Sequence, residues 1–289
     1  MNTIGFDIGG TKTYIACSND GTLQQIERVE TPQNLTAWLS LFETSIGKYK
    51  GSGQIDGVGI GIAGAKQADG TMWVPNIPCL TGFDLETFFD ERFGLKTFVE
   101  NDAHMALVGE LHKGAARDAK NVALLSIGSG IGGAFLIDGK IARGVHGAAG
   151  AFGWMTFGQP GTLEDGGKML HYEEVASGNS LGNMARESTL FKNGIEMMAA
   201  YKHGDKDAER LFMQWVENLS YGIAAVASIL DTERIILTGG ITSELDLVLS
   251  TIKDKVFGFA SPLNKNVSIC ISSLGDKACL YGALNLGQV

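Results

Sequence analysis

Cysteine, proline, long apolar runs and positive charge are all in short supply in this chain, and each shortage excludes something. The 4 cysteines in 289 residues, Cys17, Cys79, Cys270 and Cys279, form no C-x-x-C pair. This argues against a disulfide framework and against the spacing of a metal or redox site, and predicts buried free thiols in a reducing compartment. The longest mainly apolar stretch, Ile223 to Leu230, is far below the ~18 residues that cross a bilayer. At the start, Thr3-Ile4-Gly5-Phe6 runs directly into Asp7, without the basic, apolar and small-residue succession of a leader. The expectation is a cytoplasmic protein with no membrane partner. With 23 Lys+Arg against 32 Asp+Glu, the formal net charge is −9, so the surface repels phosphate backbones and a nucleic-acid partner is disfavoured.

What is present describes an ordered enzyme-sized protein. Hydrophobic residues make up 44% and charged residues 19%, outside the range of disordered chains. At ~150 residues per domain the length suggests two domains. Only 5 residues are proline but 40 are glycine, about double the usual ~7%. They follow no collagen period, so they serve tight turns and close backbone approaches. Apolar periodicity alternates between strands and helices, an α/β pattern. Strands are predicted at 3–7, 14–18, 58–62, 97–99, 121–127, 134–137, 234–237 and 267–272. Helices are predicted at 34–50, 84–93 (stopped by Gly94), 103–112 and 207–230, with a further helix from Thr242 and a closing one near Cys279–Leu284.

The pattern also restarts. A strand enters Asp7-Ile8-Gly9-Gly10-Thr11-Lys12, a second strand follows, and then Asp20-Gly21; further along, a strand enters Gly128-Ser129-Gly130-Ile131-Gly132-Gly133, and a second strand leads to Asp138-Gly139. Both read as hairpins with a glycine-rich first turn and an Asp-Gly second turn, which an internal duplication into two lobes would explain. Gly128-x-Gly130-x-x-Gly133 has the form of a dinucleotide fingerprint, but that fingerprint must open a helix, and the residues after it alternate like a strand. Neither Gly139-Lys140 nor Gly167-Lys168 has the earlier glycine of a Walker A loop. What remains is phosphate binding by glycine hairpins whose backbone N–H groups converge as an anion nest.

Carboxylates sit beside these turns. Asp7 ends an apolar strand, where it either joins Mg²⁺, which favours one or two carboxylates with phosphate oxygens and water, or caps a turn through its own backbone. In Val99-Glu100-Asn101-Asp102-Ala103 an Asn or Asp is either a helix N-cap or a base at the carboxyl end of a strand, where α/β ligands collect. Thr238-Gly239-Gly240 would bring backbone against a flat ligand such as adenine.

Taken together these elements resemble the ROK family of sugar kinases, within the actin-like ATPase and sugar kinase superfamily. Asp-x-Gly-Gly-Thr, Asn101-Asp102-Ala103, the glycine-rich hairpin, Gly147-Ala148-Ala149-Gly150, Ala176-Ser177-Gly178, Gly239-Gly240 and Tyr281-Gly282-Ala283 occur in the family's order over essentially the whole chain. The resemblance implies a two-lobed actin-like ATPase (ribonuclease H-like) fold of mixed sheets and helices, with ATP and sugar in a central cleft. The first lobe is expected at 1–115, with a closing helix at 277–289 packing back on it, and the second at 116–276. It also implies roles. Asp7 looks like the Mg²⁺-linked carboxylate, acting through water; Gly9, Gly10, Thr11 and Lys12 like the first phosphate loop; Gly128, Ser129, Gly130, Gly132 and Gly133 like the second; and Gly239 and Gly240 like the adenosine contact. Asp102 matches the catalytic base. Gly64, Asn76, Asn101 and Glu173 match sugar-site positions.

Two departures from the family pattern stand out. Where the family has Glu-x-Gly-His and then a cysteine cluster that together hold structural zinc, this chain has Ala151-Phe152-Gly153-Trp154 and no cysteine from Gly158 to Tyr172. A tetrahedral zinc needs four such ligands, so no zinc site is expected, and Trp154, Phe152 and Phe157 are expected to pack where the metal would have been. His171 is expected to be an ordinary satisfied polar residue. Ala151 also lacks the carboxylate that the family turns toward the sugar, which points to a substituted hexose or glucoside. The expectation is an ATP- and Mg²⁺-dependent hexose kinase acting on the 6-hydroxyl, a homodimer by resemblance. The competing class is a sugar-sensing regulator of the same family. Its repressors carry a DNA-binding segment before the Asp-Gly-Gly motif, which here starts at residue 7, and the retained Asp7 and Asp102 favour catalysis.

Overall fold

Alternation of apolar and small residues at the N-terminus produces strand β1 (Thr3–Ile8), whose Ile4, Phe6 and Ile8 are buried. A computed structural model of the chain describes residues 1–19, 22–51, 53–157 and 170–285; the predicted Asp20-Gly21 turn lies outside them. β1 pairs antiparallel with β2 (Lys12–Asn19), bringing Asp7 opposite Tyr14. β2 in turn pairs with β3 (Thr22–Glu30). On its other side β1 runs parallel to β4 (Gly57–Ile62). Beyond a short antiparallel pair, β5 (Ala65–Lys66) and β6 (Met72–Trp73), the chain adds β7 (Thr97–Asn101) parallel to β4. The sheet order is β3-β2-β1-β4-β7.

Helix α1 (Leu35–Lys50) starts at Asn34, whose side chain accepts from the Ala37 N–H, the N-cap that its position predicts. Helix α2 (Leu85–Phe93) is capped likewise by Asp84 and stops at Gly94 in the left-handed region. Their apolar faces meet the sheet through a ring cluster in which Phe42 lies 5.3 Å from Phe6 and 5.0 Å from Phe89. Helix α3 (Asp102–Lys113) packs on the closing helix (Ala278–Ala283). The two backbones approach so closely that a Cβ on Gly282 would lie 1.8 Å from the Met105 carbonyl oxygen. These elements belong to a first compact unit, Met1–Asp118, Lys140–Ala149 and Asp276–Val289; the second is Ala119–Gly139 and Gly150–Gly275.

In the second unit β8 (Val122–Ile127) and β9 (Ile131–Ile137) form an antiparallel hairpin, so the glycine motif opens a strand and not a Rossmann helix. Asp138 and Gly139, at φ +49° and +77°, turn the chain toward β10 (Lys140–Ile141) as a primed hairpin turn requires. Later, β11 (Thr156–Phe157) pairs with β12 (Leu170–His171). β13 (Arg234–Thr238) runs parallel to both β8 and β14 (Ser268–Ile271). The strands β9, β8, β13 and β14 lie side by side in that order, with the same antiparallel, parallel, parallel succession as β2, β1, β4 and β7.

Helices α4 (Tyr172–Ala176), α5 (Gly178–Glu187) and α6 (Gly194–Lys202) precede the long α7 (Lys206–Leu230), followed by α8 (Thr242–Leu247) and α9 (Leu249–Phe259). The apolar stripe read along α7 is its buried face, with Phe212, Trp215, Val216, Leu219 and Ile223 fully enclosed. Two polar tips inside this core find partners, as burial demands. The Trp215 indole donates to the Ser177 carbonyl at 3.0 Å, and the Tyr172 hydroxyl to the Leu219 carbonyl at 2.6 Å. All four cysteines are free, but only Cys279 is buried; Cys17, Cys79 and Cys270 keep partial exposure, Cys270 on the edge strand β14.

The backbone contact at Gly282 yields a paired prediction. Gly282→Ala has no room and lowers stability in urea by about 1–3 kcal/mol or more, whereas Gly258→Ala, exposed within α9 with nothing within 4 Å of its Cβ, raises it by about 0.5–1 kcal/mol. Equal effects would contradict the packing described.

Candidate active site

Each unit carries its own set of the residues singled out in the sequence. In the first, the turn between β1 and β2 is held by the Gly9 N–H donating to the Lys12 carbonyl (3.0 Å) and by Thr31, whose hydroxyl donates to the Gly9 carbonyl (2.6 Å). Gly10 and exposed Asn76 are neighbours there: a Cβ on Gly10 would lie 3.3 Å from the Asn76 Cβ. Lys12, the first residue of β2, is exposed.

Asn101 is the N-cap of α3. Its oxygen accepts from the Ala103 and His104 N–H groups, and its amide donates to the Gly64 carbonyl at 3.0 Å. The capping alternative left open for this segment therefore holds for Asn101, one residue before Asp102. Gly64 itself abuts backbone, since a Cβ there would meet the Trp73 carbonyl oxygen at 2.3 Å. Asp102 occupies the first helical position, and its Oδ1 accepts from the Ala103 N–H at 2.9 Å, where the positive end of the helix favours a carboxylate.

Burial pushes the Asp102 carboxyl above the usual carboxylate range, although the Ala103 N–H and the charge of His104 pull the other way. Asp7 is pushed up to about 7, first by burial and then by the charges of Asp102 and Asp276, against a hydrogen bond with the Cys279 thiol. The last-named thiol is itself raised well above its ordinary value, by burial and by the same two carboxylates, Asp7 and Asp102. A cavity of about 30 Å³ adjoins Asp7, Tyr14, Asp276 and Lys277, room for about one water. Hard oxygen donors, crowded negative charge and water-sized space suit Mg²⁺, which takes one or two carboxylates and completes its shell with phosphate and water. Among the described residues no cluster of three or more metal-ligating side chains occurs.

In the second unit the tight turn is Gly128-Ser129-Gly130, closed by the Gly128 N–H on the Gly130 carbonyl (3.0 Å). Gly132 and Gly133 lie inside β9 instead, and Gly133 makes room for the Phe152 ring. Glu173 in α4 accepts from the Ile131 N–H at 3.2 Å, so one oxygen of that carboxylate braces the glycine turn. Gly239, at φ +104°, sits where a Cβ would lie 2.4 Å from the Ile127 carbonyl oxygen.

Gly128, Ser129 and Gly240 border a cavity of about 570 Å³, within the size range of small-molecule sites. Its other walls come from Asn179, Gly182, Ile195, Met198, Lys202, Ile241 and Glu244, and Lys202 donates to Glu244 at 3.4 Å. Sequence reasoning missed the walls from α5 and α6. The one available signal was the short Gly-Asn-Ser-Leu-Gly-Asn run at 178–183, too polar to read as a helix.

The ROK family model matches residues 3–288. The chain belongs to the ROK family. A glucokinase from Streptomyces coelicolor is 30% identical over 99% of this chain and 97% of its own. An N-acetyl-D-glucosamine kinase from Vibrio atlanticus is 28% identical over 96% and 97% respectively. Among solved structures, a ROK family glucokinase from Streptomyces griseus in complex with glucose and AMPPNP superposes with TM-score 0.82 at 28% identity, covering 99% of each chain. The mixed α/β architecture is thus that of ROK kinases, the actin-like ATPase fold.

Against the ROK pattern, three expectations need correction. Trp154 does not fill a metal's place: it is 65% exposed, because the turn Phe152–Trp154 directs Phe152 inward and Trp154 outward, onto His171 at 4.9 Å between ring centres. The Phe157 side chain and residues 158–169 lie outside the described residues. His171 is not a satisfied polar residue, since its Nδ1 is buried without a partner among them. The thiols, expected to be buried, are mostly not.

The carboxylate cluster yields a pH prediction. Because the folded-state value of Asp7 lies above its ordinary 3.8, ionising it removes stability as pH rises from about 4 through 7. Asp7→Asn, without magnesium, should exceed the parent by about 1–3 kcal/mol in urea unfolding at pH 8, with the gap closing at pH 5. A pH-independent difference would contradict the assignment.

Proposed function

We propose that this chain is an ATP-dependent hexose kinase that transfers the γ-phosphoryl group to a sugar hydroxyl, the 6-hydroxyl of glucose or a glucoside, as a cytoplasmic homodimer. The observation that carries the reading is Asp102: a half-buried carboxylate at the first position of α3, raised by desolvation, in the same unit as the glycine turn and Asp7. The family relatives named above, glucokinases and an N-acetyl-D-glucosamine kinase, support the substrate class.

The chemistry needs few groups. ATP brings the reactive phosphoryl group, and Mg²⁺, when bound, neutralises its oxygens. The transition state of phosphoryl transfer is loose, so the protein contributes chiefly positioning and charge stabilisation. Asp102 orients the sugar hydroxyl and accepts its proton late in the transfer, and the upward push of burial makes it a better acceptor at that moment. Asp7 would hold Mg²⁺ through water. In each glycine turn the flanking amides are committed, Gly9 to Lys12 and Gly128 to Gly130; the amides between them, of Gly10, Thr11, Ser129 and Gly130, are those a phosphate would meet. The cavity bordered by Gly240 and Ile241 would take the adenosine. Asn76, Asn101 and Glu173 would face the sugar. Ala151 and Trp154 are exposed, and the lack of the family's glutamate at Ala151 supports a substituted hexose as the substrate.

The test is ADP release from Mg·ATP across glucose, N-acetylhexosamines and β-glucosides, repeated for Asp102→Asn. The parent should show sugar-stimulated ADP, and the variant should retain nucleotide binding while its kcat falls about 10²–10⁴-fold. A folded, ATP-binding parent that no sugar stimulates would favour the regulator instead.

A further inference from the structure

Beside Asp102 lies a charged group that the catalytic reading does not use. Glu100, near the end of β7, is 7% exposed, and His104, on the first turn of α3, is 1% exposed. The Glu100 Oε1 lies 3.1 Å from His104 Nδ1 and accepts from the Asn101 N–H at 3.0 Å. Its Oε2 accepts from Arg143 Nε at 2.5 Å. The other ring nitrogen of His104, Nε2, lies 2.8 Å from the Ala149 carbonyl oxygen. The Ala149 N–H in turn donates to the Arg143 carbonyl at 3.1 Å. Both ends of the loop 143–149 are thereby tied to one buried carboxylate, one directly through Arg143 and the other through the imidazole.

Both ring nitrogens of His104 face oxygens that only accept: an ionised carboxylate on one side and a backbone carbonyl on the other. A singly protonated imidazole donates from one nitrogen and carries a lone pair on the other, which here would be turned on an oxygen in a buried site. Only the imidazolium donates to both. The helix N-terminus opposes a cation at this position, but the Glu100 carboxylate in contact with the ring attracts one. Although burial by itself would raise the Glu100 carboxyl, the hydrogen bonds and charges of His104 and Arg143 hold it below the usual range. The charged groups around the ring are Glu100, Arg143 and, on the same helical turn, Asp102, with Asp7 beyond it.

We propose that His104 is a doubly donating positioning residue, which clamps the loop 143–149 to the helix that carries Asp102 and places a buried positive charge beside that carboxylate. The positioning half of this inference rests on the reading of Asp102 as the base; the clamp does not. A shift of about 1 Å at a reacting group can lower a rate about 100-fold, so loss of the clamp should fall on kcat rather than on sugar KM.

The clamp is read directly in long-range ¹H–¹⁵N spectra of the ¹⁵N-labelled full chain at neutral pH, with the His104 signals assigned from their loss in His104→Gln. Both ring nitrogens should be protonated in the parent, and Glu100→Gln should remove one of the two protons. A parent ring with one bare nitrogen overturns the proposal, whether or not the variants fold. In His104→Gln, hydrogen exchange over 143–149 should rise, with kcat for the best sugar falling about 100-fold and KM changing less than about threefold. Unchanged kcat or unchanged exchange overturns it. If the parent ring is doubly protonated but no sugar stimulates ADP release, the clamp stands and the kinase reading falls.

Discussion

The arrangement turns on two half-buried, partly desolvated carboxylates, Asp7 and Asp102, in one unit with Asp276 near the first. Burial of like charges is unfavourable, so the surroundings must hold them in place. The closing helix supplies the Cys279 thiol to Asp7 and packs backbone to backbone on α3 through Gly282. Asn101 caps the first turn of α3 and ties it to Gly64. Such a cluster lowers stability in the resting protein, and sites of this kind persist where a counter-ion arrives with the substrate.

The glycine turns show the same economy in different chemistry. In each, one amide closes the turn, and a side chain from outside it fixes the loop: the Thr31 hydroxyl on the Gly9 carbonyl, and the Glu173 carboxylate on the Ile131 amide. Glu173 is thus at once a structural brace and a sugar-site candidate. These bonds fix the loop geometry within the protein itself, so a phosphate bound there as proposed would require little reorganisation. The ROK pattern is departed from at Ala151 and Trp154, a small and a large exposed side chain three residues apart.

Much of this was legible in the residues because local and global signals agree. Asn34 and Asp84 are N-caps where capping chemistry places them, the apolar stripe of α7 is its buried face, and the continuation after Gly133 alternates as a strand must. Failures came where that agreement breaks. β3, with Gln24, Gln25, Glu27, Arg28 and Glu30, is an edge strand at the margin of its sheet; charged edge strands avoid aggregation and so carry no apolar alternation. Helices α5 and α6 hold glycines against each other, with Gly194 packed on Gly182, and tertiary contact overrides poor helix propensity there. That missed pair supplied most of the cavity walls absent from the sequence-based site. His104 was invisible for another reason: nothing local links it to Ala149, and only the fold brings Arg143, Glu100 and that carbonyl around one ring.

The central claim is that the Asp102 carboxylate meets the reacting hydroxyl. A crystal structure of the full chain with its preferred sugar and a non-hydrolysable ATP analogue tests it most directly. The account predicts one sugar hydroxyl within about 2.6–3.2 Å of an Asp102 oxygen and aimed at the terminal phosphate. A sugar whose phosphate-facing hydroxyl is held by another side chain, with Asp102 turned away from it, would contradict it.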